Sequence, residues 1–181
     1  MVAAGVQAHD MTKRGRPKKQ PLNADGLDYG PVHRQIQAAI RLGWPFSVEG
    51  NRVRMQAPTG FNERDAAKFA ETWLGTMFAR RLIDRPEFEA GIQFQTTAWR
   101  AFGRPFAAAQ GGTHGGDEPE RAGSQLFTIR CKAVLASRSR RVHDDVVNLC
   151  QYDRRPSERE TGRIREGLSA LADMIGLRKV A

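Results

Sequence analysis

Apolar positions along this chain fall in helical runs separated by capping and stop signals. The first run holds Val32, Ile36, Ala39 and Ile40 on one face. Pro31 suits the first helical position and Gly43 suits the end. A second pattern follows at residues 46–55. There Phe46 and Val48, then Val53 and Met55, alternate with polar residues around Gly50-Asn51, which predicts a short β-hairpin packed on the helices.

Asn62 with Asp65 three positions later predicts a second helix. Its apolar stripe is Ala66, Phe69, Ala70, Trp73, Leu74, Met77 and Phe78, and such a stripe reads as core. Asp84 with Glu87 predicts the next start. That helix carries Phe88, Ile92, Phe94, Ala98, Trp99 and Phe102 and stops at Gly103-Arg104-Pro105. Residues 109–124 read as an exposed Gly-rich loop. Beyond it, residues 126–131 alternate like a strand, but Leu126, Ile129, Ala133 and Ala136 also suit the apolar stripe of a helix, and the helical surroundings decide for helix. Val142, Val146, Val147, Leu149 and Cys150 continue the signal in another. The last helix is the best marked. Ser157 caps it, Glu160 sits at the third position, Ile164, Leu168, Leu171 and Ile175 form the stripe, and Gly176 ends it.

These elements predict a mainly α protein. Residues 29–181 form one small domain of about five to six helices with a short β-hairpin near 46–55. Residues 1–28 are small, polar and basic, hold no hydrophobic period, and are expected to be a flexible, disordered tail. The chain has 181 residues, 40% of them apolar, with nine Phe and three Trp, enough for one core.

Charge changes the picture more than composition does. The formal net charge is +9, which favours polyanionic partners, nucleic acid first. Residues 61–90 are near neutral, with five basic and six acidic side chains. Residues 121–141 carry Arg121, Arg130, Lys132, Arg138, Arg140 and Arg141 with no acid. The excess sits in that block and in the tail.

The residues do not compose an active site. The histidines are His9, His33, His114 and His143, and none accompanies a nucleophile or metalloprotease motif. His143, Asp144 and Asp145 are consecutive; on a helix they diverge by ~100° each, and helix-start acids are favoured by the dipole. Cys131 and Cys150 lack metal-site or Cys-x-x-Cys spacing, so the expectation is a reduced, intracellular chain without metal or cofactor. The acids Asp117, Glu118 and Glu120 argue against phosphate binding by the Gly-rich loop. No apolar run approaches the ~20 residues of a membrane span, and the first residues lack the layout of a secretory signal. The expectation is a cytoplasmic protein that is not an enzyme and does not engage membrane, nucleoid-associated if bacterial.

The stretch "TKRGRPKKQ", residues 12–20, carries the sharpest functional signal. It resembles the AT-hook, a short DNA-binding motif with an Arg-Gly-Arg-Pro core and basic flanks. Arg14, Gly15, Arg16 and Pro17 match the core, and Lys13, Lys18 and Lys19 match the flanks; Thr12 stands where the family often has Pro. The resemblance implies that Arg14 and Arg16 lie along the floor of an A·T-rich minor groove. The physical chemistry agrees: that groove is narrow and strongly negative, Gly admits close backbone approach, and Lys neutralises phosphates. One such arm binds weakly, so a second contact is expected, with Arg138, Arg140 and Arg141 as its residues. Gly103-Arg104-Pro105 repeats the tripeptide without the flanks and reads only as a helix stop.

Two further resemblances concern the rest of the chain. "RLIDRPEFEAGIQFQTTAWRAFGRP", "RVHDDVVNLC" and "GLSALADMIGL" resemble the bodies of small helical bacterial and prophage proteins, some of them DNA-binding regulators. Between Leu149 and the last helix stand only the residues "CQYDRRPS", too few for an added recognition helix. The Gly-Arg-Pro-Lys-Lys tail is similar to that of phage small terminase subunits, which are helical and DNA-binding. The expected function is therefore a transcriptional regulator of bacterial or phage origin that binds A·T-rich duplex. The alternatives are a small-terminase-like packaging component, which would be a ring-like homo-oligomer, and an interaction domain with an incidental basic tail.

Overall fold

The computed structural model describes residues 30–103 and 118–178. Among these, seven α-helices and one antiparallel hairpin account for most of the chain. The elements are α1 (Gly30–Leu42), β1 (Phe46–Glu49), β2 (Arg52–Met55), a 3₁₀ turn (Glu63–Asp65), α2 (Ala66–Ala70), α3 (Trp73–Ala79), α4 (Arg85–Phe102), α5 (Glu118–Arg138), α6 (Arg140–Tyr152) and α7 (Glu158–Met174). The mainly helical expectation and the hairpin both hold.

Helices α4 to α7 form a four-helix bundle. α4 and α6 each pack on α5 and α7, and both diagonals also touch. The core is Phe94 of α4, Leu135 of α5, Val142, Val146 and Leu149 of α6, and Ile164, Leu168 and Leu171 of α7, all nearly inaccessible. Fully burying each such side chain contributes about 1.5–3 kcal/mol. Gly167 lets α7 approach closely: a Cβ there would stand 2.6 Å from Val146 Cγ2 and 2.9 Å from Val142 Cγ1.

Local signals set the bundle's helix ends. Asp84 Oδ1 accepts from the Glu87 N–H, and the Glu87 carboxylate accepts from the Asp84 N–H, each at 2.8 Å, the expected reciprocal cap. Glu160 accepts from the Ser157 N–H at 2.6 Å, and that bond holds its carboxyl below the ordinary range. α1 and α7 end in turns with Gly43 and Gly176 in the left-handed region.

Three expectations change. The predicted second helix is broken into a 3₁₀ turn, α2 and α3. Thr72 is extended (φ −127°, ψ 154°), and its hydroxyl accepts from the Gly75 N–H to start α3 afresh. The break turns α3 back so that Gly75 meets the carbonyl of Phe69; a Cβ would lie 2.5 Å from that oxygen. The Gly-rich loop ends earlier than expected. Residues 118–124 are the first turns of α5, with Pro119 tolerated where no N–H is needed and Glu118 and Glu120 favoured by the dipole; residues 104–117 lie outside the described residues.

The third change is the face α5 buries. Ser124, Thr128, Cys131 and Leu135 face the bundle, whereas Leu126 and Ile129 are 62% and 58% exposed. Thr128 can be buried because its hydroxyl donates to the Ser124 carbonyl at 2.8 Å within the same helix. The small polar residues then admit close helix approach. In α1 Ala39 is buried as expected, together with Ala38 and Leu42, and only Ile40 of the expected face is exposed, at 54%.

The N-terminal part, residues 30–83, has a second, smaller core of Ala39, Leu42, Trp44, Met55, Ala66 and Ala79. Phe61, Phe69, Phe78 and Phe88 extend it in edge and stacked contacts, Phe78 and Phe88 lying 4.5 Å apart and nearly parallel. In the hairpin, Phe46 pairs with Met55 and Val48 with Val53 around Gly50-Asn51. Only Met55 of these is buried.

Candidate nucleic-acid interface

A single residue joins α5 to α6. Ser139 is fully extended (φ −171°, ψ 161°), and its hydroxyl accepts from the Val142 N–H at 3.1 Å, capping α6. Arg138, Arg140 and Arg141 are exposed around this joint. Arg138 ends α5, where a cation is favoured by the helix dipole; Arg140 and Arg141 occupy the first turn of α6, where a cation is disfavoured. The nearest acid is Asp144, 3.8 Å from Arg140, a pair whose arginine is 95% exposed and so contributes little.

The rest of the basic block does not join them. Arg121 donates to the Ala101 carbonyl at 3.3 Å, closing the end of α4, and Lys132 lies 5.7 Å from the centre of the Phe102 ring. Arg130 is exposed beside Leu126 and Ile129. The run read as one block is therefore three surfaces. Lys13, Arg14, Gly15, Arg16, Pro17, Lys18 and Lys19 lie outside the described residues.

The other candidate groups have structural roles. His143 Nδ1 and Asp144 Oδ1 are 2.9 Å apart, so these two do meet, while Asp145 turns to Arg163 of α7 at 2.6 Å. Neither acid caps α6, because Ser139 does. Among the described residues, no group of three metal-ligating side chains converges. Cys131 and Cys150 are free and buried, and burial pushes both thiols up to about 12, far from thiolate reactivity. Among the described residues no helix is long and apolar enough to cross a membrane.

An open cleft of about 800 Å³ runs between the N-terminal part and the bundle. Phe61, Phe69, Phe78 and Phe88 line it, with Lys68, Arg81 and Arg165 among its polar residues. Arg81 is left-handed (φ 59°) and donates to the Thr59 carbonyl at 2.8 Å, holding the loop at the cleft's edge.

Two polar clusters were not legible as such in the sequence. Glu87, 1% exposed, accepts from Arg178 at 3.0 Å, and Arg165 lies 3.6 Å away; Arg178 also bonds Asp84 at 2.8 Å and the Ser169 hydroxyl. The other cluster centres on Asp153, left-handed at φ 48°. It accepts from the Trp73 N–H at 2.6 Å, and Arg41 and Arg155 flank the Trp73 ring at 4.3 and 5.2 Å. Burial lifts the Asp153 carboxyl above its ordinary range, against the opposing pull of that N–H and of Arg41. Contacts between residues far apart in the chain, such as Trp73 with Asp153 and Asp84 with Arg178, make both clusters, and no local spacing announces them.

No known protein family matches this chain, and neither does any curated protein sequence or solved structure.

Proposed function

We propose that this chain is a DNA-binding protein, a transcriptional regulator of bacterial or phage origin, that contacts the minor groove of A·T-rich duplex through residues 12–20. The α5–α6 joint supplies the second contact, to phosphates. The observation that carries the second contact is the placement of Arg140 and Arg141. Two exposed arginines in the first turn of α6 work against the helix dipole and gain little from Asp144, so folding does not account for them. A bound phosphate would reverse that balance by meeting the dipole and the guanidinium groups together.

Titration of the full chain with A·T-rich and G·C-rich duplexes at two salt concentrations tests the reading. Affinity is expected to fall with salt. Arg16→Ala is expected to reduce the A·T preference, whereas Arg140→Ala should weaken binding to all sequences alike and reduce the salt slope by about 1. Unchanged binding after deletion of residues 1–20 removes the arm from the mechanism, and absence of binding at low salt favours the interaction-domain reading. The packaging alternative, suggested by the Gly15–Lys19 tail, predicts a ring-like oligomer in light scattering.

A further inference from the structure

The outward face of α5 has a pattern of its own. Leu126, Ile129, Ala133 and Ala136 follow one another at intervals of three, four and three, the spacing of a coiled-coil seam. This seam is opposite the face that α5 buries in the bundle.

The order of sizes along the seam is large, large, small, small. Set against its own copy running antiparallel about an axis at residue 131, Leu126 meets Ala136 and Ile129 meets Ala133. Every large side chain then faces a small one, as interdigitated packing requires. A two-fold pair also requires a self-complementary face, and this one is.

We propose that α5 pairs with α5 of a second copy of this chain, antiparallel, through Leu126, Ile129, Ala133 and Ala136. Two observations set the strength and the salt dependence of the pair. A face one helix wide and ~20 Å long hides less than the ~1,200 Å² where stable interfaces begin, so the dimer is weak and reversible. Arg130 and Lys132 flank the seam at its middle, and the two-fold brings each near its own counterpart, while Gly123, Gln125, Ser137 and Ser139 are the flanks elsewhere. The like charges oppose association and are screened by salt, so pairing strengthens as ionic strength rises. DNA binding has the opposite dependence, so the two behaviours are separable.

Sedimentation velocity of the full chain at 50 and 500 mM NaCl is the test. A monomer–dimer equilibrium several-fold tighter at the higher salt is expected, and Leu126→Glu is expected to abolish it with the helical circular-dichroism signal intact. Because Cys131 and Cys150 are buried, an Ile129→Cys/Ala133→Cys variant reports the register. It should form a covalent dimer under oxidised glutathione much faster than Ile129→Cys alone. A chain that stays monomeric at both salts overturns the proposal. So does a dimer indifferent to Leu126→Glu, equally fast cross-linking by the single variant, or association only with added duplex. A monomer that instead binds a helical peptide with a leucine seam and glutamate flanks overturns self-pairing in favour of an acidic partner.

Discussion

The N-terminal part and the four-helix bundle hide their apolar surface by different means. The bundle does it with long helices whose aliphatic stripes interlock, Leu135, Val142 and Val146 closing on Gly167. Residues 30–83 use short pieces, a hairpin with one buried side chain, and partly exposed Phe rings meeting edge to face. The N-terminal part meets the bundle through Leu74, Met77 and Ile83, which join the bundle's core, and through polar groups at Arg41, Trp73 and Asp153. The bundle has discrete polar contacts of its own, at Gln95 and the Cys150 carbonyl, at Asp145 and Arg163, and around Glu87.

The largest expected effect is at Glu87. Glu87→Ala removes the cap acceptor and one partner of Arg178, which stays part-exposed and keeps Asp84, so about 2–3 kcal/mol of stability should be lost, measured by denaturant unfolding. A loss below 1 kcal/mol would mean that aliphatic packing alone holds the bundle. Asp153→Ala comes next, at about 1–2 kcal/mol, because the Trp73 N–H loses its acceptor. Hydrogen exchange should show the loss in residues 30–83 first; equal loss in α4 to α7 would erase the distinction between the two parts. Asp153→Asn, which keeps an acceptor and tolerates the left-handed backbone, should cost less.

A pH dependence is expected in the bundle, since Cys131 and Cys150 belong to α5 and α6. Their folded values, about 12, exceed the ordinary 9.0. Above pH 9 the unfolded chain releases thiol protons that the folded chain keeps. Stability is therefore full below pH 9 and declines as the pH rises from 9 towards 12. Unfolding curves at pH 8 and pH 10 measure this, and a thiol reagent at pH 8 should label the native chain only as fast as the bundle opens.

Sequence reading served the bundle better than the N-terminal part, for a physical reason. α4 and α7 carry reciprocal caps at Asp84/Glu87 and Ser157/Glu160, local signals that long-range packing did not override. The break at Thr72 has only one local mark, a residue able to cap, inside a stripe that reads as continuous helix. What fixes the break is Gly75 closing on the Phe69 carbonyl. In α5 two faces were available, and the more hydrophobic one was the natural choice. The bundle took the face of Ser124 and Thr128, whose polarity is satisfied within the helix. Of the candidate interface, the charge at Arg138, Arg140 and Arg141 was legible, but its separation from Arg121, Arg130 and Lys132 depends on the turn of α5 and the joint at Ser139.

The Arg178 contact has a topological consequence. It ties the residue just beyond α7 to Asp84 and Glu87, where α4 begins, so the polypeptide of the bundle returns to its own starting point. A chain with neighbouring ends is a ring cut once, and the cut can be moved. A circular permutant that joins residue 178 to residue 84 and opens at Ser139 would keep the bundle's packed pairs.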